Sequence, residues 1–416
     1  MFANGIDSKR RVDSSTATAM SAILELDSVH GVASGATLRA EKPRMESIVP
    51  IPVPLPHIRS VNVWLLRGEP LTLIDTGPRD DEALDALEAG LRRIGLRIED
   101  IELVLPTHHH LDHTGLAATI VARSGAMVVA SDRVAAYGER YAERAAADRR
   151  FSLALMAHHG VPQHVIAGNE GFWEYIGRTS EAFPTDTRLS DGDRIQAGSR
   201  ELRVIARPGH STTDTLFVDD RDGIAFVGDH LLAGISSNTE IYPAAEPDGT
   251  RPRARVEYLQ NLKRSADMPL VRLLTGHGEP VSAHAGLVRR RLAEHRRRCE
   301  RIAASLDSGP ASAYAIAGRL WSARTVAEQP LLVVWEVLGH LDLLLDAGVV
   351  RERITDDGTR YGAASFELSR PGKGPSSGTR AGRARSLCFP DAREPEPSGG
   401  GRPERAGRHS RHDPRR

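Results

Sequence analysis

Between Thr107 and Gly115 the chain reads Thr-His-His-His-Leu-Asp-His-Thr-Gly, and no other stretch constrains it as tightly. Four candidate metal ligands, His108, His110, Asp112 and His113, fall within six positions. Histidines two apart, leaving the end of a strand, both point at one ion. Asp112 and His113 are adjacent and are expected to diverge, because successive side chains leave an extended backbone on opposite sides. One short loop then holds two ions side by side. A surface loop or a tag also produces a histidine cluster, but Asp at this spacing and the ligands further along argue against both. The short apolar segment Ile101 to Leu105, closed by Pro106, reads as the buried strand that delivers the run.

Three more candidate ligands stand at the ends of strand-like runs. His210 follows Val204-Ile205-Ala206-Arg207-Pro208-Gly209, Asp229 closes Ala225-Phe226-Val227-Gly228, and His277 follows Leu273-Leu274-Thr275-Gly276. A small residue before each lets the backbone turn tightly near an ion. Taken singly, a Gly-Asp or Gly-His pair is more often a plain turn; the set is what carries the reading.

Strand-like patterns cover Ile48 to Asp75, with a turn at Arg67-Gly68-Glu69-Pro70. Residues 80–95 follow with helical spacing of Leu84, Leu87, Leu91 and Ile94. A helix is expected from Gly115 to Ser124 and a strand from Met127 to Ala130. Two or three helices are expected over 132–180. Strands resume at Arg194–Ala197, Leu202–Ile205, Thr215–Val218, Ile224–Val227 and Val271–Leu274. Several neighbouring strands are joined by short turns, which points to two mixed sheets between helices and away from a doubly wound parallel sheet. After Ala285 come a basic helix to Leu306, a second at Ala311–Leu320, a strongly apolar third at Leu331–Leu345, and a hairpin turned at Asp356-Asp357-Gly358.

Over about residues 48–284 the motifs resemble those of the metallo-β-lactamase superfamily. The family's His-x-His-x-Asp-His signature is matched by His108, His110, Asp112 and His113. Its later motifs are matched in order by His210, Asp229 and His277, and its upstream Asp motif by Asp75-Thr76-Gly77. No ligand position departs from the pattern. Residues 286 to about 365 resemble in outline the winged-helix appendage of one branch, which includes lactamase-β-like proteins. The resemblance implies an α+β fold: an αββα sandwich of two mixed sheets between helices, followed by a small winged-helix domain. The chain then divides into a disordered leader (1–45), a catalytic domain (46–285) with a helical insert over the site (132–200), the winged helix (286–368) and a disordered basic tail (369–416).

Carried onto this sequence, the resemblance assigns His108, His110 and His210 to one ion. It assigns Asp112, His113 and His277 to a second, with Asp229 bridging. Imidazole and carboxylate donors without thiolate suit Zn²⁺ and tolerate Fe²⁺ or Mn²⁺. Two ions about 3.5–4 Å apart share a hydroxide and polarise a scissile carbonyl or phosphoryl oxygen. The implied reaction is therefore hydrolysis by a metal-bridging hydroxide, with Asp112 and Asp229 as the catalytic carboxylates and Asp112 managing the proton. Asp75 is expected to accept a ligand histidine's other N–H and fix its tautomer. His230, next to Asp229, is a candidate for lining the site, against plain packing. His109 is expected to face away from the ions. His57, His158, His159, Trp173 and Tyr175 are weighed for substrate contact, against packing roles.

Composition narrows the partners. Formal net charge is zero, so overall charge points to no polyanion. Cys299 and Cys388 are the only thiols and lie far apart, which argues for a reducing, cytoplasmic setting. No segment has the roughly 20 apolar residues of a membrane span. The expected substrate is a small thioester, ester or lactone. The alternative is a metal-dependent endoribonuclease acting on single-stranded RNA, drawn from Arg289-Arg290-Arg291, Arg296-Arg297-Arg298 and a tail from Lys373 with eleven Lys or Arg against five acids. The third C-terminal helix is too apolar to read a DNA groove and wants burial, against the catalytic domain or in a homodimer. A degenerate, regulatory hydrolase is the third reading, and the intact ligand set counts against it.

Overall fold

Short turns and helical crossovers sort the strands into two mixed sheets. The computed structural model describes residues 45–56, 59–244 and 250–364. The first sheet runs in chain order: β1 (Ile48–Leu55), β2 (Arg59–Leu66), β3 (Thr72–Ile74), β4 (Leu103–Leu105), β5 (Met127–Ser131) and β6 (Thr187–Leu189). Its first three strands are antiparallel, and the rest are parallel. The sense changes where helices begin to connect the strands, since parallel neighbours need a crossover. These connections are α1 (Asp81–Arg93), then α2 (Leu111–Thr114) with α3 (Ala117–Ser124), then α4 (Asp132–Gly138), α5 (Tyr141–His158), α6 (Gln163–Gly168) and α7 (Glu170–Thr179).

The second sheet is a meander of β7 (Arg194–Ala197), β8 (Arg200–Ala206), β9 (Thr215–Asp219) and β10 (Ile224–Gly228). Strand β11 (Arg272–Thr275) then pairs parallel to β10, after the crossover helix α8 (Ala254–Ala266).

Alternation along the strands builds the layers. On β2, Val61, Val63 and Leu65 join the core under α1 and α3, while Trp64 and Leu66 face the other sheet. On β10, Ile224 and Phe226 point between the sheets, and Ala225 and Val227 point to the second helical layer. The result is the expected αββα sandwich. Helix α1 shows how local signals agree with it: the Asp80 carboxylate accepts from the Ala83 N–H at 2.7 Å, and Ala83, Leu87 and Leu91 are buried.

The C-terminal region contains α9 (His284–Ser305), α10 (Ala313–Leu320), α11 (Ala323–Glu328), α12 (Pro330–Asp346) and the hairpin β12 (Val350–Thr355) and β13 (Gly358–Ala363). Four helices stand where three were expected, because Ser322 caps a short extra one by accepting from the Thr325 N–H. The boundary expected at residue 285 falls in the first turn of α9, and one apolar core runs continuously from the second sheet through α8, α9 and α12. Helix α12 is covered by its own chain, with Val333, Val334, Val337, Leu338, Leu341 and Leu344 all buried. That satisfies the apolar surface that suggested a homodimer.

Two expectations need correction. Within the 132–200 insert the helices end at Thr179 and Arg194–Ala197 is the expected strand, but Thr187–Leu189, which pairs with β5, is a strand that was not expected. Strand β6 has only Leu189 buried, so its residues carry no apolar alternation. Residues 111–114, furthermore, form a helical turn and not extended backbone. The leader, the tail, His57 and Cys388 lie outside the described residues. Among the described residues no helix is long and apolar enough to cross a membrane.

Candidate metal centre

The chain turns at the C-terminal ends of β3, β4, β8, β10 and β11 bring the candidate donors to one rim of the sandwich. His108, His110 and His210 form one group: His110 Nδ1 lies 3.1 Å from both His108 Nε2 and His210 Nε2. Tetrahedral Zn–N bonds of about 2.0–2.1 Å imply nitrogen separations of about 3.3–3.4 Å, close to this spacing. Asp112, His113 and His277 form a second group, with His277 Nε2 at 3.2 Å and His113 Nε2 at 3.7 Å from Asp112 Oδ2. Asp112 and His113 reach the same group because they share a helical turn, not because an extended backbone splits them.

Asp229 stands between the groups. Its Oδ1 is 3.6 Å from His113 Nε2, and its Oδ2 is 3.3 Å from His277 Nε2 and 3.7 Å from His210 Nε2. Gly276 makes this approach feasible, since a Cβ there would stand 2.4 Å from Asp229 Oδ1 and 2.6 Å from His113 Cε1.

Four of the five histidines in the two groups have their far ring nitrogen tied down. His113 Nδ1 lies 2.8 Å from Asp75 Oδ2, His210 Nδ1 2.8 Å from the Asn238 carbonyl, His277 Nδ1 2.8 Å from the Ser60 carbonyl, and His108 Nδ1 3.1 Å from Thr107 Oγ1. Such bonds set the tautomer and leave the inner nitrogen's lone pair for an ion. Asp75 itself is held at φ 62°, a left-handed conformation uncommon for a residue with a Cβ. Its carboxylate accepts from the Thr107 N–H at 2.7 Å, so one side chain aligns both the start of the histidine run and its last member.

Three inner atoms are left without partners. His113 Nε2, His277 Nε2 and Asp229 Oδ1 are buried and make no hydrogen bond. Buried polar atoms without partners are expensive, and a cation at their focus would satisfy all three. Electrostatics agree. Burial works against charge on His113, yet the carboxylates of Asp75, Asp112 and Asp229 outweigh it and raise its pKa to about 9. His277 is raised well above the usual range for the same reason, against its own burial. Burial and the neighbouring histidines hold His108 well below it, so this ring is neutral. The carboxylates of Asp112 and Asp229 thus favour positive charge at the second group. An all-nitrogen and oxygen donor set with orphaned inner atoms fits divalent metal.

His109 is turned away from both groups. Its Nδ1 meets Thr213 Oγ1 at 2.9 Å and its ring packs at a tilt against Tyr137, 3.9 Å between centroids. His230 is buried with Nε2 on Ser265 Oγ at 2.9 Å, facing α8 and not the donors. His158 bonds Thr359 of the hairpin and His159 stacks on Tyr361, so neither lines the centre. Tyr175, on α7, is nearer: partial burial, then the charges of Asp80 and Asp112, raise its hydroxyl.

Sequence reasoning missed Glu240. This carboxylate lies 3.8 Å from His109 Nε2 and 3.9 Å from His110 Nε2, on the outer side of the first group. It sits in a polar loop, Ser236 to Glu240, with no motif to mark it.

The comparisons with known proteins agree with this geometry. The model of the metallo-beta-lactamase superfamily matches residues 58–277, which include every donor above. The probable metallo-hydrolase YqjP of Bacillus subtilis (strain 168) is 32% identical over 312 residues, covering 72% of this chain and 92% of that protein. A hydroxyacylglutathione hydrolase of Albidiferax ferrireducens is 30% identical over 51% of this chain and 68% of its own length. The acyl-coenzyme A thioesterase MBLAC2 of Homo sapiens is 30% identical over 42% of this chain and 59% of its own. Among solved structures, the metallo-beta-lactamase family protein TTHA1429 from Thermus thermophilus matches with a TM-score of 0.64 at 27% identity, covering 76% of this chain and 99% of that one. This chain belongs to the metallo-β-lactamase superfamily and is a metal-dependent hydrolase.

Proposed function

We propose that the chain hydrolyses a small acyl thioester at a two-ion centre, with simple esters and lactones as related substrates. The observation that carries this reading is the convergence of two three-residue donor groups on the single carboxylate of Asp229. Hydrolases of thioesters among the relatives support the substrate class. In this reading His108, His110 and His210 hold one ion, Asp112, His113 and His277 hold the other, and Asp229 bridges them. Zn²⁺ suits the donors best, with Fe²⁺ or Mn²⁺ tolerated.

Ions bound there would supply Lewis acidity toward the acyl oxygen and lower the pKa of a water. The chain's own residues do the rest. Asp75 and the carbonyls of Ser60 and Asn238 keep three rings from turning, so their inner nitrogens stay aimed at the centre. Hydrolysis replaces the acyl C–S bond by a C–O bond to water. Asp112, with 17% of its side chain exposed against 11% for Asp229, has the better access to the cleft. It takes up the water's proton and returns it to the departing thiolate. Tyr175 on α7, whose hydroxyl feels the charge of Asp112, is the residue of the insert assigned to contact the acyl group.

The C-terminal helices and hairpin are read as a winged helix, supported by the Ala311–Tyr361 bridge that adds a third strand position beside the wing. The ribonuclease alternative rests on the arginines of α9 and on the basic tail, which lies outside the described residues. Three of those arginines are already engaged: Arg291 donates to three backbone carbonyls, Arg296 pairs with Glu300 and Arg298 pairs with Glu336. A panel of thioesters, lactones, phosphodiesters and RNA on the metal-loaded protein tests the reading, with His110→Ala as control. Thioester turnover that vanishes in the control is expected. RNA cleavage with a steep salt dependence of binding would install the nuclease instead. Purified protein that turns over thioester without metal would defeat the proposal.

A further inference from the structure

The loop from His230 to Glu240 follows the bridging Asp229 and carries no regular secondary structure, yet two of its residues hold the centre. Ser237 donates its hydroxyl to the backbone carbonyl of Asp229 at 2.5 Å, and the Asn238 carbonyl accepts from His210 Nδ1 at 2.8 Å. Both lead to Arg255 on α8, which is wholly buried. Its Nη1 reaches the Ser237 carbonyl at 3.5 Å and its Nη2 reaches Asn238 Oδ1 at 3.1 Å. The same Nη2 donates to Glu336 Oε2 of α12 at 2.6 Å. Asn238 also touches α12 directly, its Nδ2 donating to the Leu332 carbonyl at 3.1 Å. From the other side, Arg291 of α9 donates to the carbonyls of Leu232, Ala233 and Ile235 at 3.0, 3.1 and 2.9 Å. Gly339 lets α12 come this close, since a Cβ there would stand 3.0 Å from Arg255 Cβ and Nε.

A buried guanidinium needs a partner, and a loop without secondary structure needs its carbonyls satisfied. One arrangement meets both needs, and it runs from the C-terminal helices to a donor histidine and to the backbone of Asp229. We propose that Arg255, clamped by Glu336, is a positioning residue for the metal centre, and that ion uptake depends on the C-terminal helices through Ser237 and Asn238. This rests on the ligand assignment above. It gives the C-terminal region a role beside any contact with substrate: without the clamp, His210 and Asp229 lose the fastenings that aim them.

The test measures Zn²⁺ affinity of the full chain by competition with a chromophoric chelator, together with the Co²⁺ absorption spectrum. Asn238→Ala and Glu336→Gln are expected to weaken zinc binding about 10- to 100-fold and to alter the cobalt spectrum. Ile316→Ala removes packing from α10 without touching the clamp, and is expected to keep the parent's affinity and spectrum. If Glu336→Gln fails to fold, Asn238→Ala against Ile316→Ala decides alone. Parental affinity in Asn238→Ala, or an equal loss in Ile316→Ala, overturns the clamp. His210→Ala separates the two layers of the reading. Loss of zinc there with none in Asn238→Ala leaves the ligands standing and removes only the clamp, whereas parental zinc binding in His210→Ala removes the ligand assignment beneath it.

Discussion

His108, His110, Asp112 and His113 lie in one short run, and their fastenings belong to the same run or to the neighbouring strand end: Thr107 for His108, Asp75 for His113. His210 and Asp229 lie on separate loops, and their fastenings come from Ser237 and Asn238, themselves held by α8 and α12. The first half of the centre is assembled by residues within about one supersecondary unit, whereas the second is assembled by residues up to about a hundred positions further along. Local fastening makes a contiguous motif, and distant fastening leaves donors that look like ordinary turns. The two halves should therefore fail differently when perturbed.

The largest effect is expected where the comparison does not matter. His110→Ala removes a donor itself, and thioester turnover should fall by about 10³-fold, the several kcal/mol that a metal ion contributes to a transition state. Turnover within a few-fold of the parent would mean that the histidine run is not the centre. The local half is tested by Asp75→Asn, which leaves shape intact but loses the carboxylate that orients His113. Metal affinity should drop about 10- to 100-fold in equilibrium dialysis. Gly276→Ala strikes where the halves meet, because the added methyl collides with Asp229 Oδ1 and His113 Cε1. A loss of about tenfold in turnover is expected from such crowding. An unaffected rate would show that Asp229 is not confined between the groups.

A smaller effect concerns the contact between the helical insert and the C-terminal hairpin. Burial, then the charges of His158 and Arg251, lower the pKa of His159 to about 3. Its unfolded value is about 6.5, so the unfolded chain binds more protons between these limits. The stability that this neutral ring contributes is complete above about pH 6.5 and is lost as pH falls toward 3. The slope is about 1.4 kcal/mol per pH unit at most. Urea unfolding of the metal-free protein at pH 7.5 and 5.5 should show this loss in the parent and less of it in His159→Gln. The smallest effect belongs to Arg289 and Arg290, which are exposed on α9. Replacing both with alanine should leave thioester turnover within about twofold, as surface changes usually do.

What the sequence disclosed follows the same division. The αββα layering was legible because short turns join several neighbouring strands and residues 80–95 carry Leu84, Leu87, Leu91 and Ile94 at helical spacing. The candidate donors that the fold brings together were legible because their residue types and their places after strands are distinctive together. Helix α8 was not, since its buried side includes Arg255 and Asn261 among its apolar residues and so blurs the period. Glu240 and Asn238 were not, because a short polar loop reads as solvent-facing until α12 is seen to cover it. The misreading of Asp112 and His113 as extended has a similar cause: four residues of helix are too few to show a period.

The central claim is that two ions, held by donors from both halves, perform thioester hydrolysis. Stepwise return of Zn²⁺ to metal-free protein, with thioester turnover and bound metal measured on the same samples, tests it most directly. Turnover should rise until two ions are bound per chain and then level off. Full activity with no ion bound, or a plateau already reached at one, would contradict it.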